Sequence, residues 1–358
     1  MISNTGAYAV GTEMFSIIDE NRREVLGNAE GNRKITVRMY YPVSKSDVSG
    51  KPKAKIFSDR KAEALSKAYH IKDFSKFPNE ADYYENAEAV KGEKFPLIIY
   101  NHGYNSYVEC NTFLCCELAS NGYVVASVGH AYEAIENDYQ DGSFDYYDKS
   151  LNKKVTTPYV PAVVAQMKIL YNKKLDSRQA YKAFDAFQRK YCSFMMERSE
   201  EWCRDTMTAL AEIKNRYGEI IDFSNGIAAT GHSFGGSTAY RLCQCYDEFS
   251  CGVNIDGALF GEYSGMTMHK PFYQIGCKEN MNVETKPFLD TTAPVYYTQF
   301  KDMKHIGFTD AKFFVPIKML VGKLEPMEMY SRLIKCHLNF FDKYMKNKDI
   351  TLEDKVDL

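Results

Sequence analysis

An α/β fold with a mostly parallel central sheet is what this sequence predicts, and three observations carry the prediction. Short, continuous apolar runs recur: Phe95-Pro-Leu-Ile-Ile-Tyr100, Tyr123-Val-Val-Ala-Ser-Val128, Gly226-Ile-Ala-Ala-Thr230 and Cys251-Gly-Val-Asn-Ile255. Such unbroken hydrophobicity suits strands buried on both faces of a parallel sheet. Helical periodicity separates the runs, which is the rhythm of β–α–β units with helices on both faces. Several runs stop at polar or glycine-bearing turns, and the carboxyl ends of strands are where ligands bind in such sheets.

Residues 34–41 alternate and end at Pro42, so they read as an early strand. Residues 44–94 are polar, lysine-rich and irregular; they read as a surface excursion with one helix near Ala62–Tyr69. Strand 95–100 stops at Asn101-His102-Gly103, and helix 111–120 stops at the cap Asn121-Gly122. After strand 123–128 the rhythm breaks. Residues 131–175 are first acidic and tyrosine-rich, then apolar around Pro158–Leu170. In the helical stretch 176–217, Phe184, Phe187, Tyr191, Phe194 and Met195 share one face, whereas Trp202, Ala209, Leu210, Ile213 and Tyr217 share another. The change of face predicts two helices, the first covering the site and the second packing on the sheet. A cap-like insertion over about 131–196 in one 358-residue domain follows. Strands at 226–230, 251–255, 271–275 and 294–300, a helix from about Gly236 to Cys245 and a closing helix at 326–345 complete the chain; the charged tail 347–358 is expected to fray.

Composition excludes several classes. A net charge of −2 offers no electrostatic footprint for nucleic acid. No run of 18 apolar residues exists, so no transmembrane segment is expected. The ten cysteines include no CxxC pair and no zinc spacing. Buried, reduced thiols are expected, with no metal and no cofactor, and the protein is expected to be cytoplasmic.

The chemistry-bearing motif is Gly231-His232-Ser233-Phe234-Gly235, a G-x-S-x-G between an apolar strand and a helix. That context is the nucleophile elbow of the α/β-hydrolase fold, where the flanking glycines make room for a sharply turned serine. A serine hydroxyl needs a base, and the base needs an orienting acid. In this fold the acid and then the histidine follow in chain order. Asp256 ends the next strand; Asp290, Asp302 and Asp310 are the other candidates. His305 follows strand 294–300 at its carboxyl end, whereas His269 enters a strand at the opposite edge and His337 sits inside the last helix. Backbone N–H groups of Phe234 and Tyr104 are the candidate oxyanion donors. Gly103, His232 and His130 are candidates to contact substrate, although His102 and His130 also suit packing or hydrogen bonding near the same rim.

These pieces resemble the platelet-activating-factor acetylhydrolase family of plasma, intracellular type II and bacterial esterases. The resemblance rests on Asn101-His-Gly-Tyr104, Ala119-Ser-Asn-Gly-Tyr-Val-Val125, Gly231-His-Ser-Phe-Gly-Gly-Ser-Thr238, Ile255-Asp-Gly-Ala-Leu-Phe260 and His305-Ile-Gly-Phe-Thr-Asp310, in the family's order. It implies a calcium-independent serine esterase that releases short or oxidised acyl chains, with Ser233, Asp256 and His305 as triad. Gly129-His130-Ala131-Tyr132 departs from the His-Arg-Asp run frequent in relatives. A dienelactone-, cutinase- or polyester-type hydrolase and a non-catalytic interaction protein are the alternatives. Both serine and histidine are present, which speaks against the last. The Phe184, Phe187 and Tyr191 face reads as helix packing or as a transient lipid contact.

Overall fold

A computed structural model describes residues 2–71, 77, 79–155, 160–352 and 355–357. The strands are β1 (Ala9–Arg23), β2 (Asn32–Val43), β3 (Tyr84–Glu85), β4 (Phe95–Asn101), β5 (Val124–His130), β6 (Glu136–Asp138), β7 (Phe144–Tyr146), β8 (Ile221–Asp222), β9 (Ile227–His232), β10 (Phe249–Ile255), β11 (Phe272–Cys277), β12 (Val295–Phe300) and β13 (Lys355–Asp357). The helices are α1 (Asp59–Ala68), α2 (Thr112–Ser120), α3 (Asn152–Val155), α4 (Val160–Leu170), α5 (Ser177–Tyr191), α6 (Ser193–Tyr217), α7 (Phe234–Cys245), α8 (Ala311–Phe314), α9 (Lys318–Val321) and α10 (Pro326–Met345). The start of the apolar stretch, Pro158, lies outside the described residues.

The main sheet runs β13-β12-β11-β10-β9-β4-β5-β2-β1-β3, with β8 beside β4. From β13 to β5 all neighbours are parallel; β2 joins antiparallel to β5 and to β1. Successive side chains of β4 enter opposite cores: Leu97 and Ile99 join α6 and α7, and Ile98 and Tyr100 join α2 and α10. This two-sided burial is the physical reason the strands read as unbroken apolar runs.

Strand order reverses between β4 and β9. Chain from β4 proceeds to β5 on one side, and chain from β9 proceeds to β10 on the other. Asn101 pairs with Gly231, and His232 pairs with Ile255, so three strand ends lie level along one sheet edge. A crevice opens at such a reversal.

Three features differ from the sequence expectations. The 15-residue β1 has no clear periodicity and is held by its long antiparallel pairing with β2. The tail does not simply fray: β13 adds a parallel strand to β12. Segment 44–94 is more than surface, since Leu65 and Tyr83 are fully buried and α1 is tied down by Lys61. Lys61 is 1% exposed, and its ammonium donates to both Glu109 oxygens, at 3.0 and 2.9 Å. The predicted division of 176–217 appears at Cys192, where the backbone leaves helical geometry between α5 and α6. Helices α4 and α5 and the start of α6 form a third apolar cluster with Tyr104, Phe234 and Phe260.

Candidate active site

Ser233 sits between β9 and α7 with φ 57° and ψ −122°, a conformation that costs a non-glycine residue about 1–3 kcal/mol. The surroundings impose it. The Ser233 N–H donates to the Ile255 carbonyl at 2.8 Å, and the Ser233 carbonyl accepts from Gly236 and Ser237 in the first turn of α7. Any Cβ on Gly231 or Gly235 would run into the Asn101 carbonyl, so only glycine lets the turn approach β4. The hydroxyl consequently stands above the sheet edge.

Its Oγ lies 2.8 Å from His305 Nε2, and His305 Nδ1 lies 2.6 Å from Asp256 Oδ2. Asp256 is fully buried, with φ 56°. Asn254 fixes that turn: its Oδ1 accepts from the Gly257 N–H at 2.9 Å and its Nδ2 donates to the Gly257 carbonyl at 2.7 Å. The Cys277 N–H donates to Asp256 Oδ1 at 2.6 Å, and Asn280 Nδ2 donates to Oδ2 at 2.8 Å. Burial alone would raise the Asp256 carboxyl; His305 and the Cys277 amide overcome it and hold the group below its ordinary value.

The loop after β4 lies against the serine, since a Cβ on Gly103 would stand 3.1 Å from Ser233 Cβ. Phe234 opens α7, so its N–H has no intrahelical acceptor. Among the described residues the Tyr104 N–H has no hydrogen-bond partner either. The structure thus brings Ser233, Asp256, His305, Gly103, Tyr104, Phe234 and His232 together. A cavity of about 310 Å³ opens here, lined by Ser233, His305, Gly103, Tyr104, Ala68 and Tyr69 among others.

His232 is buried, and its Nε2 faces the His305 carbonyl at 2.8 Å. Burial and then the charge of His305 push its imidazole down to about 3, so it stays neutral and donates. His130, in contrast, stands away from the opening. It is fully buried, stacks on Trp202 at 3.6 Å and bridges Asp205 (2.8 Å) and Asn101 (3.0 Å). A substrate contact by His130 is therefore corrected to support of the loop after β4. The remaining alternatives lie elsewhere: His337 is buried between Thr230 and the Leu333 carbonyl, and His269 is engaged by Thr292. Asp290 pairs with Lys286, and Asp310 accepts from the Phe113 N–H. Asp302 sits in a turn whose carbonyl accepts from the Lys323 N–H.

Sequence reading missed Asn254, Asn280 and the α1 wall of Ala68 and Tyr69. Asn254 carries a signal, a polar side chain within an apolar strand; Asn280, Ala68 and Tyr69 carry none. All ten cysteines are free, and only Cys245 is exposed. No His, Cys, Asp and Glu cluster able to hold a metal ion occurs among the described residues.

A mostly parallel sheet with a left-handed serine at a strand-to-helix turn defines an α/β-hydrolase. The fold matches a ferulic acid esterase from Streptomyces cinnamoneus with a TM-score of 0.74 and 19% identity, over 97% of this chain and 93% of that one. The family model described as platelet-activating factor acetylhydrolase, isoform II, matches residues 2–354, and the chain belongs to that family. It is 24% identical to the platelet-activating factor acetylhydrolase of Cavia porcellus over 272 residues, 73% of this chain and 60% of that protein. It is 25% identical to the Gallus gallus protein of the same name over 186 residues, 48% of this chain and 40% of that protein. The matched stretches span less than two thirds of each relative.

Proposed function

We propose that this chain is a serine-dependent carboxylic ester hydrolase acting on short-acyl esters through an acyl-enzyme on Ser233. One observation carries the reading: the chain of contacts from Ser233 Oγ through His305 to Asp256, at 2.8 and 2.6 Å. In this reading Ser233 Oγ bonds to the ester carbonyl carbon while its proton passes to His305 Nε2. The Tyr104 and Phe234 N–H groups hold the oxyanion. His305 then protonates the departing alkoxide as the carbon–oxygen ester bond breaks. Water, deprotonated by His305, attacks the acyl-enzyme, releases the acid and restores the hydroxyl. Asp256 keeps His305 in the tautomer with Nδ1 protonated and stabilises the imidazolium. The small cavity supports the short-acyl preference, since α1 closes one side of it.

A fluorophosphonate should form one covalent adduct, on Ser233, and a p-nitrophenyl ester series should show rates falling with acyl length. Labelling elsewhere, with hydrolysis retained by Ser233→Ala, would refute the mechanism.

Lipid contact, if the substrate is presented on a surface, belongs to α4 in this reading. Phe184 and Phe187 are buried, whereas Val160, Val163, Val164 and Met167 are between 45% and 70% exposed. No helix among the described residues is long and apolar enough to cross a membrane. Val163→Asp should reduce sedimentation with phosphatidylcholine vesicles and leave hydrolysis of soluble esters unchanged; equal sedimentation of the two proteins removes α4 from the reading.

A further inference from the structure

Behind Asp256 lies a second carboxyl group that the triad does not use. Glu284 is 1% exposed, and neither of its oxygens has a hydrogen-bond partner among the described residues. A Cβ on Gly276 would stand 2.5 Å from Glu284 Oε2 and 3.3 Å from Asp256 Oδ1. The two carboxyls are therefore within about 6 Å of each other, close enough for like charges to shift one another.

The groups around the pair can neutralise one negative charge and no more. On the β10 side stand Asp256 itself and the neutral Asn254. On the β11 side stand Gln274, whose Oε1 accepts from Asn254, and the Cys277 thiol and N–H. His305 and Asn280 both face Asp256. Lys286, two residues beyond Glu284, is engaged by the Met266 carbonyl at 2.9 Å and by Asp290 at 2.7 Å. Tyr181 of α5 lies under that same ammonium at 5.2 Å. No cation among the described residues is paired with Glu284.

We infer that Glu284 is a positioning residue on the acid side of the site: a carboxylic acid protonated at neutral pH, which leaves Asp256 as the single negative charge that His305 meets. The inference rests on the triad reading. Two buried carboxyls within about 6 Å of each other, with one imidazole to neutralise them, do not both ionise; one keeps its proton. Asp256 holds the His305 contact, the Cys277 N–H and Asn280, so it is the member that ionises. Burial, and then the charge of Asp256, push the Glu284 carboxyl well above its ordinary value.

The consequence has a definite sign. A carboxyl raised on folding contributes stability that is complete below its unfolded value and is lost as pH rises through its folded value. Ionised Glu284 would repel Asp256 and loosen the turn that carries Cys277 and Asn280. Glu284→Gln is an isostere of the protonated acid and cannot ionise.

The experiment compares wild type with Glu284→Gln across neutral to alkaline pH, by thermal melting and by kcat/KM on p-nitrophenyl acetate. The variant should match wild type near neutrality, gain in Tm relative to wild type as pH rises, and keep its alkaline activity about one pH unit further. Burial also pushes the Glu136 carboxyl up to about 8, so the diagnostic signal in carboxyl-13C-labelled wild type is a glutamate titrating above neutrality whose midpoint is lowered by Asp256→Asn; this holds whether or not Glu284→Gln folds. A pH-independent Tm difference, or no such resonance, overturns protonation of Glu284. Identical alkaline limbs overturn its coupling to the site. Loss of hydrolysis in Ser233→Ala tests the triad reading separately.

Discussion

At the scale of residues, the site depends on a few contacts that no other side chain reproduces. Asp256→Asn keeps the shape of the buried acid but accepts less well from His305 Nδ1 and stabilises no imidazolium. Turnover on p-nitrophenyl acetate should fall by about 10⁴-fold with KM nearly unchanged; a fall below tenfold would remove Asp256 from the proposed mechanism. Gly235→Ala tests the elbow rather than the chemistry. Its methyl would run into the Asn101 carbonyl, which is held in the sheet by β9. Backbone on both sides leaves no route for relaxation, so a loss of more than about 2 kcal/mol is expected in urea unfolding. The motif, Asp256 and His305 were legible in the sequence because each ends or follows a recognisable strand. Asn280 and Glu284 were not, because they come from a turn whose path is set by what it packs on.

Among the elements, α1 gives the largest departure from what the sequence suggested. It lies in a lysine-rich stretch that reads as surface, yet its end supplies Ala68 and Tyr69 to the cavity at Ser233. Its anchor is Lys61, held by Glu109 and lying 3.4 Å from Glu136. Burial lowers the basicity of that ammonium, but the two carboxylates more than restore it. Lys61→Met would leave Glu109, among the described residues, with only Arg38 as a cation, its Nε 3.4 Å away. Loss of one partner from a buried pair should cost about 3 kcal/mol in urea unfolding. With α1 loosened, the preference for short acyl chains should weaken; an unchanged chain-length profile would mean that α1 does not shape the pocket. Helix α5, by comparison, was readable as the first of two helices, but not at its end: Phe194 and Met195, read with its apolar face, belong to α6. Asp176 and Gln179 form a capping box at its start, worth about 1 kcal/mol, and the chain leaves helical geometry at Cys192.

For the molecule as a whole, the loop after β4 depends on a buried ionic network joining the β1–β2 hairpin to α6. Arg33 of β2 reaches Asp205, Glu133 and Glu24, at 2.7, 3.0 and 2.9 Å. Arg198 meets Glu133 at 2.7 Å, and the Glu133 carbonyl accepts from the Asn105 N–H beside Tyr104. Burial would raise the Asp205 carboxyl, but Arg33 and His130 hold it well below the ordinary carboxylate range. A depressed carboxyl contributes stability that is present above its unfolded value and lost as pH falls through the folded one. Tm should therefore drop as the solution is acidified below about pH 4. Asp205→Asn should melt lower near neutrality and show a shallower acid decline; an equally steep decline would assign acid sensitivity to other carboxylates.

Periodicity and turn chemistry in the sequence alone determined the parallel core strands, the helices between them and the elbow serine, because these follow from local residue order and two-sided burial. Long-range packing decided the rest. The pairing that holds β1, the buried Lys61 that draws α1 to the cavity, the withdrawal of His130 behind Trp202 and the meeting of Glu284 with Asp256 all join residues distant in the chain. Local patterns cannot encode such contacts, since each depends on where another segment comes to lie.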